Sequence, residues 1–426
     1  MAKNDVFLCI QQFPSLMKSK RIIVWFRNDL RLHDNEMLVE AIAKSDEILP
    51  VYFFDPRHCN EEQPNKAGLI HAGFLKESVQ ALRIALQELG GDILIIAGKP
   101  EEHMSELVEQ YEISEVYHHR EVAAAETQIS ANVEDRLWKI KVNLKHFIGH
   151  TLYNKEDLPF PIKDIPDVFT QFKKKTERDA TVKPCIVRPQ QINFVAAEEW
   201  GTLPDFSPAP GLTGGEQAGL AHLSDILSAG SPIYQKPALK TADRNGYSSR
   251  LSAWLSLGCL SPRQVYWSVK EAETRFGSNA NFTHLLVGLL WRDYYRFMFK
   301  KHGAGFLEVS MLPSELTAVE AEENLFEKWK SGKTGHPLID SYMEQLNTTG
   351  YIPHTARILV STFLVHLLHV NWRKGASYFE ERLVDYSTAS NWGNWASIAE
   401  GDKNIKSKHT FDVDKQVKFL NSAALI

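Results

Sequence analysis

In the first third of the chain, short unbroken apolar runs alternate with longer segments whose apolar residues recur at helical spacing. RIIVWF (21–26), ILPVYFF (48–54), DILIIAG (92–98), EVYHHR (115–120) and NLKHFIGH (143–150) are rich in β-branched and aromatic residues. Such runs fit strands buried on both faces. Between them, AGFLKESVQALRIALQELG and EEHMSELVEQY carry the helical period. Five strands with intervening helices predict an α/β fold with a doubly wound parallel five-stranded sheet. No GxGxxG follows the first strand, so a standard dinucleotide fingerprint is excluded.

The pattern then changes twice. Residues 154–219 are interrupted by Pro, Gly and polar residues; PFPIKDIPDVF and PDFSPAPGLTGG read as loops, and the whole as an inter-domain connection. KKKTER (173–178) reads as a solvated face able to touch phosphate. From 220 to 426 the pattern is helical and predicts an all-α domain. LSPRQVYWSVKEAETRF offers Ser261 as N-cap and Pro262 as first helical residue. NFTHLLVGLLWRDYYRFMFKKHG stops at Gly303. HTARILVSTFLVHLLHV is apolar nearly all round and predicts a buried central helix. ASYFEERLVDYSTA reads as an amphipathic helix running out into a loop at SNWGNW (390–395), where turn formers are interleaved with two indoles. The expected division is a 1–20 extension, a 21–153 α/β domain, a 154–219 connection and a 220–426 helical domain.

With 426 residues, two domains are the prior. The net charge of −5 confines any nucleic-acid contact to a local patch. Cys9, Cys59, Cys185 and Cys259 are scattered without metal-ligand spacing, as in a reducing compartment. No run reaches transmembrane length, and the first twenty residues lack a signal-peptide cleavage site. A cytoplasmic monomer without membrane contact is the expectation.

Several residues call for chemistry. Ser248, Ser249 and Ser252 cluster around a helix start, where hydroxyls and free N–H groups suit a diphosphate; simple capping is the alternative. Arg292, beside Trp291, lies in an apolar helix and needs a phosphate or carboxylate partner unless it snorkels to the surface. Arg357 opens an apolar helix, and Asp385 is its natural partner. His118, His119, His366 and His369 lack companions for a metal set, and none is expected.

Read together, these segments place the chain in a known family. WFRNDLRLHDNEML (25–38), HREV (119–122), EDLPFPIKDIPDVFTQF (156–172), GGEQAGL (214–220), YSSRLSAWLSLGCLSPR (247–263), LLWRDYYRF (289–297), TGHPLID (334–340), LNTTG (346–350) and DYSTASNWGNW (385–395) occur in order. The chain resembles the photolyase/cryptochrome family, most closely its DASH-type cryptochromes, from about residue 21 to 401. The resemblance implies FAD in the helical domain. Ser248, Ser249 and Ser252 match diphosphate positions, and Tyr234 and Arg292 match flavin contacts. Arg357 and Asp385 match the pair beside the isoalloxazine, and Asn391 the residue facing flavin N5. Trp395 matches the first electron donor and Trp372 the second. Trp291 is a retained lesion-site residue. The resemblance also implies light-driven repair of cyclobutane pyrimidine dimers, preferring single-stranded DNA. A methenyltetrahydrofolate antenna is the usual DASH pigment, with Glu121 where it would be met.

The chain departs from the family where the lesion sits. Gly288 replaces a Glu that hydrogen-bonds the dimer. Thr355 replaces an Arg that meets DNA, and Ser397 an aromatic of the pocket. His354 replaces a flavin-site Asn, and Ser387 the usual second Asp. The outer indole of the electron chain, expected near 319 from the spacing to Trp329, is Val319. These losses lead to slow photoreduction and weak repair as expectations. They also support a second reading, a flavin photoreceptor or redox protein that does not repair.

Overall fold

The computed structural model describes residues 19–58, 68–235, 248–307 and 319–400. Its strands β1 (Arg21–Phe26), β2 (Glu47–Phe54), β3 (Leu94–Ala97), β4 (Glu115–His119) and β5 (Asn143–Phe147) are parallel, in the order β3-β2-β1-β4-β5. The chain winds outward from β1 to β3, then recrosses to β4 and β5, as the alternation predicts. Helices α1 (Glu36–Lys44), α2 (Leu69–Gln87), α3 (Pro100–Gln110) and α4 (Ala124–Lys139) make the crossovers. Period two divides β1 cleanly. Ile22, Val24 and Phe26 join a core with Leu38, Leu75 and Leu82, while Ile23 and Trp25 join another with Met104, Val133 and Leu137.

The connection is more ordered than its Pro and Gly content suggests. It contains α5 (Phe169–Asp179), whose Phe169, Phe172 and Thr176 are buried on one face. Lys174 and Lys175 are exposed, so KKKTER is the wet side of this helix. Farther on, Phe194 forms a parallel bridge with Ile48. The Ile48 N–H donates to Asn193 O and the Val195 N–H to Ile48 O, both at 2.9 Å, and the Ile95 N–H donates to Trp200 O at 2.9 Å. The Ile48 bonds occupy β2 backbone groups that the four-residue β3 leaves uncovered, and the Ile95 bond covers the outer edge of β3.

The rest is helical among the described residues. It comprises α6 (Glu216–Leu227), α7 (Pro232–Gln235), α8 (Ser252–Ser256), α9 (Pro262–Phe276), α10 (Ala280–His302), α11 (Val319–Lys330), α12 (Pro337–Thr349), α13 (His354–Thr362), α14 (Trp372–Arg382) and α15 (Thr388–Glu400). Ser261 Oγ accepts from the N–H groups of Arg263 and Gln264, and Pro262 is the first helical residue. Gly303 ends α10 at φ +58°. The expected central helix is buried at Leu359, Val360, Phe363 and Leu364, but passes into one π-helical turn at Phe363–Leu367. No helix among the described residues is long and apolar enough to cross a membrane.

One expectation is corrected outright. SNWGNW is not a loop; it lies inside α15. Its Gly serves packing: a Cβ on Gly393 would sit 2.4 Å from the Tyr295 ring. Gly375 on α14 plays the same part, with a Cβ there 2.2 Å from the Trp395 ring. Burial of Asn391, Gly393 and Trp395 overrides the turn preference of Asn and Gly.

Polar contacts fix how the two halves dock. Arg296 on α10 pairs with buried Glu121 at 2.9 Å, and Glu121 also accepts from Asn28 Nδ2 at 3.0 Å. Asp293 accepts from the N–H groups of Leu152 and Tyr153 at 2.9 and 3.0 Å. Arg263 pairs with Asp34 at 2.7 Å. Buried pairs of this kind are expensive to desolvate and are sensitive to geometry.

Candidate active site

Several candidate residues meet where the start of α13 and the segment after α14 approach the segment before α8. Arg357 Nη2 donates to both carboxylate oxygens of Asp385, at 2.9 and 2.8 Å, and its Nε donates to Ile352 O at 2.9 Å. The Asp385 side chain is 1% exposed and that of Arg357 22%, so the guanidinium keeps one open side. Both the Arg357 and Arg250 guanidinium groups lie over the Tyr351 ring, at 5.3 and 5.2 Å. The Tyr351 hydroxyl meets Ser248 Oγ at 2.6 Å. Ser248, Tyr351, Arg357 and Asp385 therefore form one cluster.

The other serines are placed differently. Ser249 uses its carbonyl to accept from His222 Nε2 at 2.7 Å. Ser252 begins α8, which has only five residues, so little helix dipole is available for an anion. His354, three residues before Arg357, is open on one side yet walled by protein. That desolvation, with the nearby Arg357 charge, lowers its pKa to about 4.

Arg292 neither snorkels nor forms an ion pair. One amino group, Nη2, donates to Leu255 O at 3.0 Å, while Nη1 is buried without a partner in the protein. Burial, then the Arg296 charge, lowers its pKa to about 9. A buried donor without an acceptor costs about 1–3 kcal/mol, so this position suits an acceptor from outside the chain.

Asn391 is buried, and its Nδ2 donates to Ala376 O at 2.9 Å, tying α15 to α14. Trp395, 2% exposed, meets Phe379 and Trp329 edge-on, with centroids 5.1 and 6.2 Å away. Trp372, also 2% exposed, meets Trp392 at 5.9 Å. The contacts of Trp329 and Trp392 went unread in the sequence. The first served only as a spacing marker and the second as part of a motif, and neither spacing shows which rings touch.

Trp291 sits in an aromatic stack. Phe169 lies flat on its indole at 3.5 Å and 10°, and Tyr295 flanks it at 5.4 Å and 29°. Gly288 is exposed, with open space where a Cβ would go. Ser397 is exposed, its hydroxyl 3.3 Å from that of Tyr295. Thr355 and Ser387 are half-buried, and Val319 is the first residue of α11.

Two expected residues lie apart from this cluster. Tyr234 donates its hydroxyl to Leu227 O at 2.9 Å and packs against Phe276 and Phe282. Glu121 is committed to the domain interface. Burial raises its pKa, but Arg296, His150 and Arg27 outweigh this and hold it below the ordinary carboxylate range. The described residues contain no group of three or more potential metal ligands.

The comparisons agree with this architecture. The family model described as DNA photolyase matches residues 22–190, and that described as FAD binding domain of DNA photolyase matches residues 285–423. The chain belongs to the photolyase/cryptochrome family. Within it, the chain is similar to proteins named Cryptochrome DASH. The relative from Gloeobacter violaceus is 37% identical over 94% of this chain and 83% of its own. The relative from Synechocystis is 37% identical over 93% and 84%. The solved Synechocystis cryptochrome superposes with TM-score 0.85 at 34% identity, over 96% of this chain and 88% of that one. An archaeal photolyase from Sulfolobus tokodaii, solved with two FAD molecules, gives TM-score 0.74 at 26% identity, over 95% and 88%.

Proposed function

We propose that the chain binds FAD at the cluster around Arg357 and carries out light-driven repair of cyclobutane pyrimidine dimers, preferentially in single-stranded DNA. When bound, FAD supplies the light-absorbing one-electron centre. The carrying observation is the Arg357–Asp385 pair, whose guanidinium is fixed by three hydrogen bonds yet open on one side. The donor set fits such a group. Arg292 Nη1 offers a buried, unpartnered N–H, and Ser248, Ser249 and Ser252 offer hydroxyls for a diphosphate. Arg357 favours negative charge on the ring beside it. Asn391 would offer the ring a neutral amide where a carboxylate would repel added electrons, and His354 stands three residues before Arg357; Tyr234, whose hydroxyl is held by Leu227 O, joins the cofactor set only through the family resemblance. Trp395 and Trp372 supply electrons because indoles are easily oxidised side chains, and Trp291 meets the extruded base.

The lesion-side residues oppose repair. A flipped dimer must offset the few kcal/mol spent on extrusion through pocket contacts. Gly288 brings no donor, where losing one preorganised donor typically costs about 10²–10³ in rate. Thr355 cannot pair with phosphate as an Arg does. Phe169 already occupies a face of Trp291. That observation favours a second reading, a flavin photoreceptor or redox protein without repair. A methenyltetrahydrofolate antenna belongs to the first reading, but it draws no support from Glu121, whose carboxylate is taken by Arg296 and Asn28.

The test begins with bound flavin, expected near one FAD per chain; a colourless protein that does not take up added FAD overturns both readings. Repair is then measured on a single-stranded dimer with dithionite-reduced protein. Slow repair that rises in Gly288→Glu supports the first reading. No repair in either protein supports the second.

A further inference from the structure

The expected electron chain loses its outer member at Val319, yet another indole stands beside its second member. We propose that Trp392 is the terminal donor of a rerouted chain and that Glu380 takes its proton; this rests on the flavin reading above. Trp372 begins α14, is 2% exposed, and meets Trp392 of α15 edge-on, with centroids 5.9 Å apart and planes at 75°. Trp392 is partly exposed, and its Nε1–H donates to Glu380 Oε2 at 3.1 Å. Packing of α14 against α15 thus sets relay, donor and base in contact.

The oxidant is light-excited oxidised flavin, reached through Trp395 and then Trp372. Oxidised Trp372 draws one electron from Trp392 across the ring contact. The Nε1–H bond of Trp392 breaks and its proton passes to Glu380 Oε2, leaving a neutral indolyl radical and a carboxylic acid. Losing the proton removes the positive charge that would pull the electron back. A thiolate in solution then returns one electron, and Glu380 returns the proton to Nε1.

Trp372, Trp329 and Tyr378 are worse resting places for the oxidised site. Trp372 has no partner for its buried Nε1, and the Arg373 guanidinium lies 5.5 Å from its ring centre. On the other branch, Trp329 touches Trp395 at 6.2 Å but is 0% exposed, and its Nε1–H donates to Val360 O. A backbone carbonyl does not take up the proton, so the charge would stay in an apolar cluster, which is costly. The next ring, Tyr378, lies beneath Lys330 and Arg382, whose charges oppose its oxidation.

Flash spectroscopy on the full FAD-loaded chain tests this, with a spin trap and peptide mapping as a second readout. The unmodified protein is expected to form a lasting neutral indolyl radical, trapped at Trp392. Trp392→Phe should lose that signal and leave only a short-lived charge pair. Glu380→Gln should still pass the electron but keep the radical cationic. Trp329→Phe should behave like the unmodified protein. A lasting radical in Trp392→Phe, or a trap adduct at Trp329 or Tyr378, overturns the inference alone. No flash-induced radical in the unmodified protein overturns it together with the electron-supply reading beneath it.

Discussion

Gly393→Ala should destabilise the protein, although helix propensity says the reverse. Gly393 lies inside α15, and replacing an interior helical Gly with Ala is worth about 1 kcal/mol. At this position the new Cβ would sit 2.4, 2.7 and 2.9 Å from three carbons of the Tyr295 ring. Carbon contacts settle at about 3.5–4.0 Å, so the ring must retreat by about 1 Å. It has little freedom to do so. Its hydroxyl contacts Asn394 and Ser397 of the same helix, and Trp291 and then Phe169 stack beside it. Overpacking of this kind costs about 1–3 kcal/mol, leaving a net loss of up to about 2 kcal/mol once propensity is subtracted. Gly288→Ala is the internal control: it lies in α10, is exposed, and has nothing within 4 Å of its Cβ. Thermal unfolding of both variants decides the matter, at roughly 2–4 °C for each kcal/mol. Gly288→Ala should raise the midpoint and Gly393→Ala lower it. A Gly393→Ala midpoint at or above the unmodified value refutes the packing argument.

Other outcomes follow from the same cluster. Asp385→Asn strands Arg357 and should cost about 3 kcal/mol, the low end for a broken buried pair because the guanidinium is partly open; thermal unfolding and retention of flavin through gel filtration measure it. The His354 pKa is near 4 when folded against an ordinary 6.5, so the unfolded chain takes this proton first. Stability should therefore fall as pH drops from about 6.5 toward 4, with a shallower fall in His354→Asn, read from unfolding midpoints across that range. Phe169→Ala should uncover Trp291 and tighten binding of a single-stranded oligonucleotide by up to about 1–3 kcal/mol. Unchanged affinity in fluorescence anisotropy removes Phe169 as the obstacle.

Strands and strong helix ends were legible because local signals and burial agree there. β1 to β3 are apolar on both faces, and Ser261–Pro262 and Gly303 mark boundaries by backbone chemistry alone. The Arg357–Asp385 pair was legible because a charge in an apolar helix demands a partner. SNWGNW was misread because the reason for its Gly lies on another helix, in Tyr295. The order of α5 was underweighted, although Phe169, Phe172 and Thr176 already lie on one helical face. Which indoles touch was not legible, since the partners are set by helix packing. The Phe169–Trp291 stack joins residues more than a hundred positions apart, and no local pattern announces it.

The pairing of residues 193–195 with Ile48 bears on the order in which the molecule can be made. Ile48 acquires its partners on this side only after three more strands and α5 have been synthesised. Until then, the early part of β2 presents unpaired backbone groups beside a short β3, a ready template for another chain. The N-terminal half emerges first from the ribosome, and its edge is closed by a segment that also leads into the helical half. Long-range closure of this kind slows folding, since the loop must be ordered before the contact repays it. A nascent chain of this protein therefore exposes that edge until residues 193–195 have left the ribosome.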